Sequence, residues 1–118
     1  MSKKKIFIFD IDNTICVTKN SDYNKSVPKN KIIKFMNQLK DNGHIIKIFT
    51  SRYMGRNNEN SKLVKKKYTT VIKKQLKNWG VKYNELILGK PSFDFFIDDK
   101  TLNPKKVNIT AELKKFIK

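Results

Sequence analysis

Short apolar runs alternate along this chain with longer stretches in which apolar residues return every three or four positions. Ile6-Phe7-Ile8-Phe9 is an unbroken apolar run, the pattern of a strand covered on both faces. From Pro28, a residue suited to a first helical position, "PKNKIIKFMNQLKDNG" repeats Ile32, Ile33, Met36 and Leu39 at helical spacing and stops at Gly43. "HIIKIFT" reads as a second strand. After a polar loop over 51–62, "LVKKKYTTVIKKQLKNWG" puts Val64, Tyr68, Val71, Ile72, Gln75, Leu76 and Trp79 on one broad helical face before Gly80. A short strand at "ELILG", another at "FDFFID" and a helical tail in "TAELKKFIK" complete the series. Alternation of this kind predicts an α/β domain with a mostly parallel sheet flanked by helices. Only four residues separate Leu88 from Phe93, too few for a crossover helix. The 85–88 segment is therefore a short edge piece or is paired in some other sense.

Length and composition narrow the class. A chain of 118 residues is expected to form one domain, 1–118, with a core of its own. It has no apolar run of membrane-spanning length and no signal-type segment at its start, so the expected location is cytoplasmic, with no membrane partner. Cys16 is the single cysteine and has no partner for an internal disulfide. The net charge of +17 raises the question of a nucleic-acid partner. Against it, 25 of the 27 basic residues are Lys, and Asn (13) and Ile (14) are inflated with them. AT-rich codons produce that combination, so the charge is read as coding bias on solvated faces. His44, at the start of a buried strand, and Tyr68 and Trp79, on a core-facing helical stripe, are read as structural.

The acids carry the chemistry. Of seven Asp, four stand directly after two strand-like runs: Asp10 and Asp12 after the first, Asp98 and Asp99 after "FDFFI". In an open parallel sheet both places lie at the carboxyl ends of strands, where ligands bind. Four carboxylates gathered there repel one another unless a cation offsets them, and hard oxygen ligands with room for water and phosphate suit Mg²⁺. A single strand-end Asp is commonly a turn former or helix cap. Two such clusters point instead to a metal site.

These residues resemble the haloacid dehalogenase-like (HAD) hydrolases, most of which are Mg²⁺-dependent phosphohydrolases. Asp10, Asp12 and Thr14 match the first motif of that superfamily, Thr50 in "IKIFTSR" the second, Lys90 in "GKPSFD" the third, and Asp98-Asp99 in "FFIDDK" the fourth. The resemblance spans residues 6 to 100 and implies a Rossmann-like core. It also implies that Asp10 is a nucleophile forming an aspartyl phosphate, that Asp12 is the general acid and base, and that Thr50 and Lys90 bind the phosphoryl group. Mg²⁺ would be held by Asp10, the backbone carbonyl of Asp12 and the Asp98–Asp99 pair, with Asp99 the preferred direct ligand. No stretch is long enough for a cap domain: 14–28 is a short flap. The site is then open, closed by the flap, by a neighbouring subunit in a homo-oligomer, or by the substrate itself. Thr14, Ser51, Arg52, Arg56 and Tyr23 are the expected substrate contacts; the two arginines are the only ones in the chain and flank the site together. Glu59 offers them a local ion-pair partner instead. Within the superfamily the chain looks like the small capless phosphatases of capsular and surface-polysaccharide biosynthesis, acting on a small phosphorylated sugar or metabolite. The alternatives are a polynucleotide 3′-phosphatase and a non-catalytic binding protein with the same fold.

Overall fold

The computed structural model describes residues 3–118. The chain opens with β1 (Ile6–Phe9) and a hairpin of β2 (Cys16–Val17) and β3 (Val27–Pro28), whose turn holds a 3₁₀ segment, Tyr23–Lys25. Then come α1 (Asn30–Asp41), β4 (Ile45–Thr50), a 3₁₀ turn at Gly55–Asn57, α2 (Ser61–Asn78), β5 (Glu85–Leu88) and the short α3 (Ile109–Leu113). The sheet is parallel throughout, in the order β1-β4-β5, with Phe9 beside Ile48 and Thr50 beside Leu88. This is a mixed α/β fold with a parallel sheet flanked by helices. The 85–88 segment is thus an edge strand, parallel to β4. No helix among the described residues is long and apolar enough to cross a membrane.

The order explains which face is covered. Each crossover steps one strand in the same direction, and right-handed crossovers then place α1 and α2 on one face. Phe9, Ile46, Ile48 and Leu88 occupy that face, in one core with Ile33, Phe35, Met36 and Leu39 of α1 and Val64, Ile72 and Leu76 of α2. Ile6 and Ile8 point the other way from β1 and stay 59% and 61% exposed. The expectation that β1 is covered on both faces therefore holds for one face only. Val71, expected on the buried stripe of α2, is exposed, while Tyr68 and Trp79 pack on the core margin.

Local chemistry sets the ends. Pro28 does not open α1: it pairs with Cys16 in the hairpin, and the helix starts at Asn30 behind an extended Lys29. A residue without an N–H is tolerated in such a two-stranded edge. Asn60 caps α2 by accepting the Leu63 N–H at 3.1 Å. His44 is structural, as read from the sequence. Its Nδ1 accepts the Lys5 N–H at 3.0 Å, which leaves Nε2–H to donate to the Phe116 carbonyl at 2.9 Å. The C-terminal tail is thereby fastened to the start of β4.

No strand forms over "FDFFID". β4 already has a neighbour on each side, and the segment lies along neither free sheet edge. Glu59 holds its beginning through the Ser92 N–H and hydroxyl, both 2.8 Å away, and Phe95 and Ile97 are left 85% and 93% exposed.

Gly89 fixes the exit from β5. Its φ is +88°, and a Cβ there would lie 2.9 Å from the Ser61 Cβ at the start of α2. Gly89→Ala should destabilise the fold by about 1–3 kcal/mol, from steric overlap together with a left-handed backbone. Urea unfolding measures this, and an unchanged midpoint would show that the turn can move off α2 freely.

Candidate active site

The carboxyl ends of β1, β4 and β5 converge on one small region. Asp10 follows the last residue of β1, and its Oδ1 accepts the Ile11 N–H at 2.8 Å. Its Oδ2 lies 3.9 Å from Lys90 Nζ. Lys90, two residues beyond β5, is buried, and its N–H donates to the Thr50 carbonyl at 3.2 Å. Its ammonium rests on the rings of Phe93 and Phe96, 4.8 and 4.9 Å from their centres. Burial pushes the Asp10 carboxyl above the ordinary aspartate range, and the Lys90 charge works against that push.

Asp12 stands in the turn that closes after β1. The Thr14 and Ile15 N–H groups both return to the Ile11 carbonyl, at 3.2 and 2.9 Å, with Asn13 at φ +59° completing the bend. Asn tolerates that left-handed conformation better than most residues. The turn aims the Asp12 carboxylate at Arg52, which ends the loop step after β4. Arg52 Nε lies 3.1 and 3.0 Å from the two carboxylate oxygens, and Nη2 lies 2.9 Å from Oδ1. The guanidinium's other donors reach Gln75 Oε1 and Ser26 Oγ, and its carbon lies 4.8 Å from the centre of the Tyr23 ring. Thr18 Oγ1 donates to the same carboxylate. Gln75 also donates to the Tyr23 carbonyl at 2.7 Å, so α2, the hairpin and Asp12 are joined through one arginine.

This placement changes the reading of Arg52. It is 2% exposed and its fork is engaged within the protein, so it positions Asp12 rather than facing a substrate. Glu59 is not its partner, being held by Ser92. Arg56, Tyr23 and Ser51 do line an open pocket of about 420 Å³ beside the site, together with Tyr53 and Ser92. Thr14 faces elsewhere, lining a separate groove against residues 104–110. Thr50 is fully buried, its hydroxyl accepting the Arg52 N–H at 3.1 Å. Cys16 is buried and burial raises its thiol's pKa, the mark of an inert structural cysteine.

The four-carboxylate cluster is not assembled. Asp98 and Asp99 are exposed, because the segment that carries them is held at Ser92 instead of joining the sheet. Their mutual interaction lowers Asp98 and raises Asp99. Without the acid pair, one carboxylate, Asp10, and the Asp12 backbone carbonyl are too few ligands for a divalent ion. Among the described residues no group of three or more His, Cys, Asp or Glu could hold one. Sequence reasoning missed Gln75, Thr18 and Ser26 as members of the site. A glutamine on an otherwise apolar helical face was the available signal for the first; the others had none.

A solved structure shares this fold. A crystal structure of a target protein from Vibrio cholerae is 28% identical, with a TM-score of 0.80 over 97% of each chain. No family model and no curated protein matches the chain.

The Asp10–Lys90 pair has a direct test. The Asp10 carboxyl, followed by carbon-detected NMR, should titrate above the ordinary aspartate range, and Lys90→Met should move it higher still. Ionising Asp10 is harder in the fold than in the unfolded chain, so its contribution to stability falls as pH rises through the window between the two values. A midpoint that stays put or falls in Lys90→Met would separate the two side chains.

Proposed function

We propose that the protein is a phosphomonoester hydrolase of the haloacid dehalogenase-like type, capless, working through an aspartyl phosphate on Asp10. The observation that carries this reading is the convergence of Asp10, Lys90, Thr50 and an arginine-oriented Asp12 at three adjacent strand ends. A lone partly buried carboxylate beside an ammonium suits an anionic electrophile, because the cation offsets repulsion between the two.

Asp10 Oδ2 attacks phosphorus as the ester P–O bond breaks, and Asp12, whose carboxylate rests on Arg52, hands the leaving oxygen a proton taken up from solvent as substrate binds. Water then attacks the aspartyl phosphate and yields a proton to Asp12. Inorganic phosphate departs and the Asp10 carboxylate is restored. Lys90 neutralises charge on the phosphoryl oxygens. Arg52, braced by Gln75, keeps the Asp12 carboxyl aimed at the leaving group. The substrate class that best suits a 420 Å³ pocket is a small phosphorylated metabolite, such as a sugar phosphate of surface-polysaccharide biosynthesis.

Mg²⁺ belongs to this reading only if Asp98 and Asp99 reach Asp10, and no step above depends on it. The outer edge of β1 is unpaired and exposes Ile6 and Ile8, while Phe95 and Ile97 are exposed on the segment that precedes the acid pair. Adding that segment to β1 would pair the free backbone edge and could bring the two sets of apolar side chains alongside one another, shielding part of each from water.

Asp10→Asn should abolish phosphate release from small phosphomonoesters while the fold persists, as read by far-ultraviolet circular dichroism. A folded Asp10→Asn protein with full turnover would exclude the covalent route. For the metal, hydrogen exchange at residues 93–99 should slow at least tenfold when Mg²⁺ and orthovanadate are added together. Exchange that is indifferent to both would remove Asp98 and Asp99 from the site.

A further inference from the structure

The two arginines have divergent fates. Arg52 is engaged from every side, whereas Arg56 makes one hydrogen bond, from Nη2 to the Ser21 carbonyl at 2.8 Å, and pairs with no carboxylate among the described residues. A guanidinium has five N–H donors, so its fork remains largely open. Tyr23 and Tyr53 hold it in place. Its carbon lies 5.1 and 5.3 Å from their ring centres, and Tyr53 is itself braced by a parallel stack on Tyr68 at 3.7 Å.

These groups line the 420 Å³ pocket with the hydroxyl-bearing residues Ser21, Ser51 and Ser92. Tyr53, a bulky residue, reaches the pocket from a left-handed backbone at φ +68°. Glu59, the nearest acid in sequence, has both oxygens occupied by Ser92 and does not line the pocket. The pocket opens beside the reacting groups. Ser51 follows Thr50, and the Phe93 ring, which lines the pocket, carries Lys90 Nζ 4.8 Å from its centre.

We propose that this pocket is a subsite for a carboxylate borne on a polyhydroxylated leaving group, with Arg56 as its anchor. The proposal rests on the phosphatase reading for its biological use, though binding itself requires no turnover. One guanidinium of unit charge, presented as a planar fork, matches a carboxylate in charge and shape. Aromatic walls and serine hydroxyls match the apolar faces and hydroxyls of a short sugar-acid skeleton. The volume is that of a site for one small molecule or residue.

The test uses gluconate, a polyhydroxylated carboxylate, and sorbitol, its uncharged counterpart, titrated by NMR into the wild-type and Asp10→Asn proteins. Gluconate should bind both alike and at least tenfold more tightly than sorbitol, with shifts at Tyr23, Tyr53 and Ser92. Arg56→Met should weaken gluconate at least tenfold and leave sorbitol unchanged; Arg56→Lys, which keeps the charge and loses the fork, should fall between. Equal binding of the two probes, or gluconate binding indifferent to Arg56→Met in a protein shown to be folded, would overturn the subsite. Hydrolysis of p-nitrophenyl phosphate separates the two readings. Turnover without gluconate preference fails the subsite alone, and gluconate preference without turnover on any phosphomonoester fails the phosphatase reading alone.

Discussion

The pairing of Arg52 with Asp12 is the interaction on which the rest of the site depends. A guanidinium taken almost wholly out of water loses several kcal/mol of hydration, and only a well-shaped set of acceptors offsets that loss. Here the set comes from three places: the Asp12 carboxylate, the Gln75 amide on α2 and the Ser26 hydroxyl beside β3. None is near another in sequence, so the arginine is satisfied only when the post-β1 turn, the hairpin and α2 are all docked. Removing one partner from a fully buried pair typically costs on the order of 3–5 kcal/mol; Asp12 keeps some exposure, which lowers that figure.

The order β1-β4-β5 has a second consequence. Because both crossovers step the same way, the covered face and the chemistry are built from one side, and β1 is left at an edge. Asp10 consequently sits where the sheet has a neighbour on one flank only. The charge on Lys90, 3.9 Å from Asp10, offsets part of the cost of burying that carboxylate. Its ammonium is kept there by aromatic faces, a placement that tolerates partial burial of a cation.

Electrostatics also distinguishes the two arginines functionally. Arg52 has counter-charge and acceptors around it and is fixed in place. Arg56, four residues later, has ring faces around it and no carboxylate partner among the described residues. In a chain whose other basic residues are all lysines, the planar fork has been retained at the two positions where shape matters: clamping a carboxylate from within, and facing a pocket.

The sequence by itself determined the parts governed by local periodicity and by strand-end placement. Apolar spacing located α1, α2, β1, β4 and β5, strand-end placement put Asp10 and Asp12 at the carboxyl end of β1, and the motif resemblance added Thr50, which ends β4, and Lys90, which follows β5. It also signalled that Arg52 and Arg56 matter, without saying to what. Tertiary structure alone decided their partners, because a guanidinium's acceptors come from segments 23 to 40 residues away and no local pattern encodes such a meeting. It alone decided that Ile6 and Ile8 stay uncovered, since that follows from the hand of two crossovers and not from the composition of β1. The segment carrying Asp98 and Asp99 shows the limit most plainly. "FDFFID" has the residues of a strand, yet a strand exists only where an edge accepts its backbone hydrogen bonds, and in this fold that segment is tied through Ser92 to Glu59 instead.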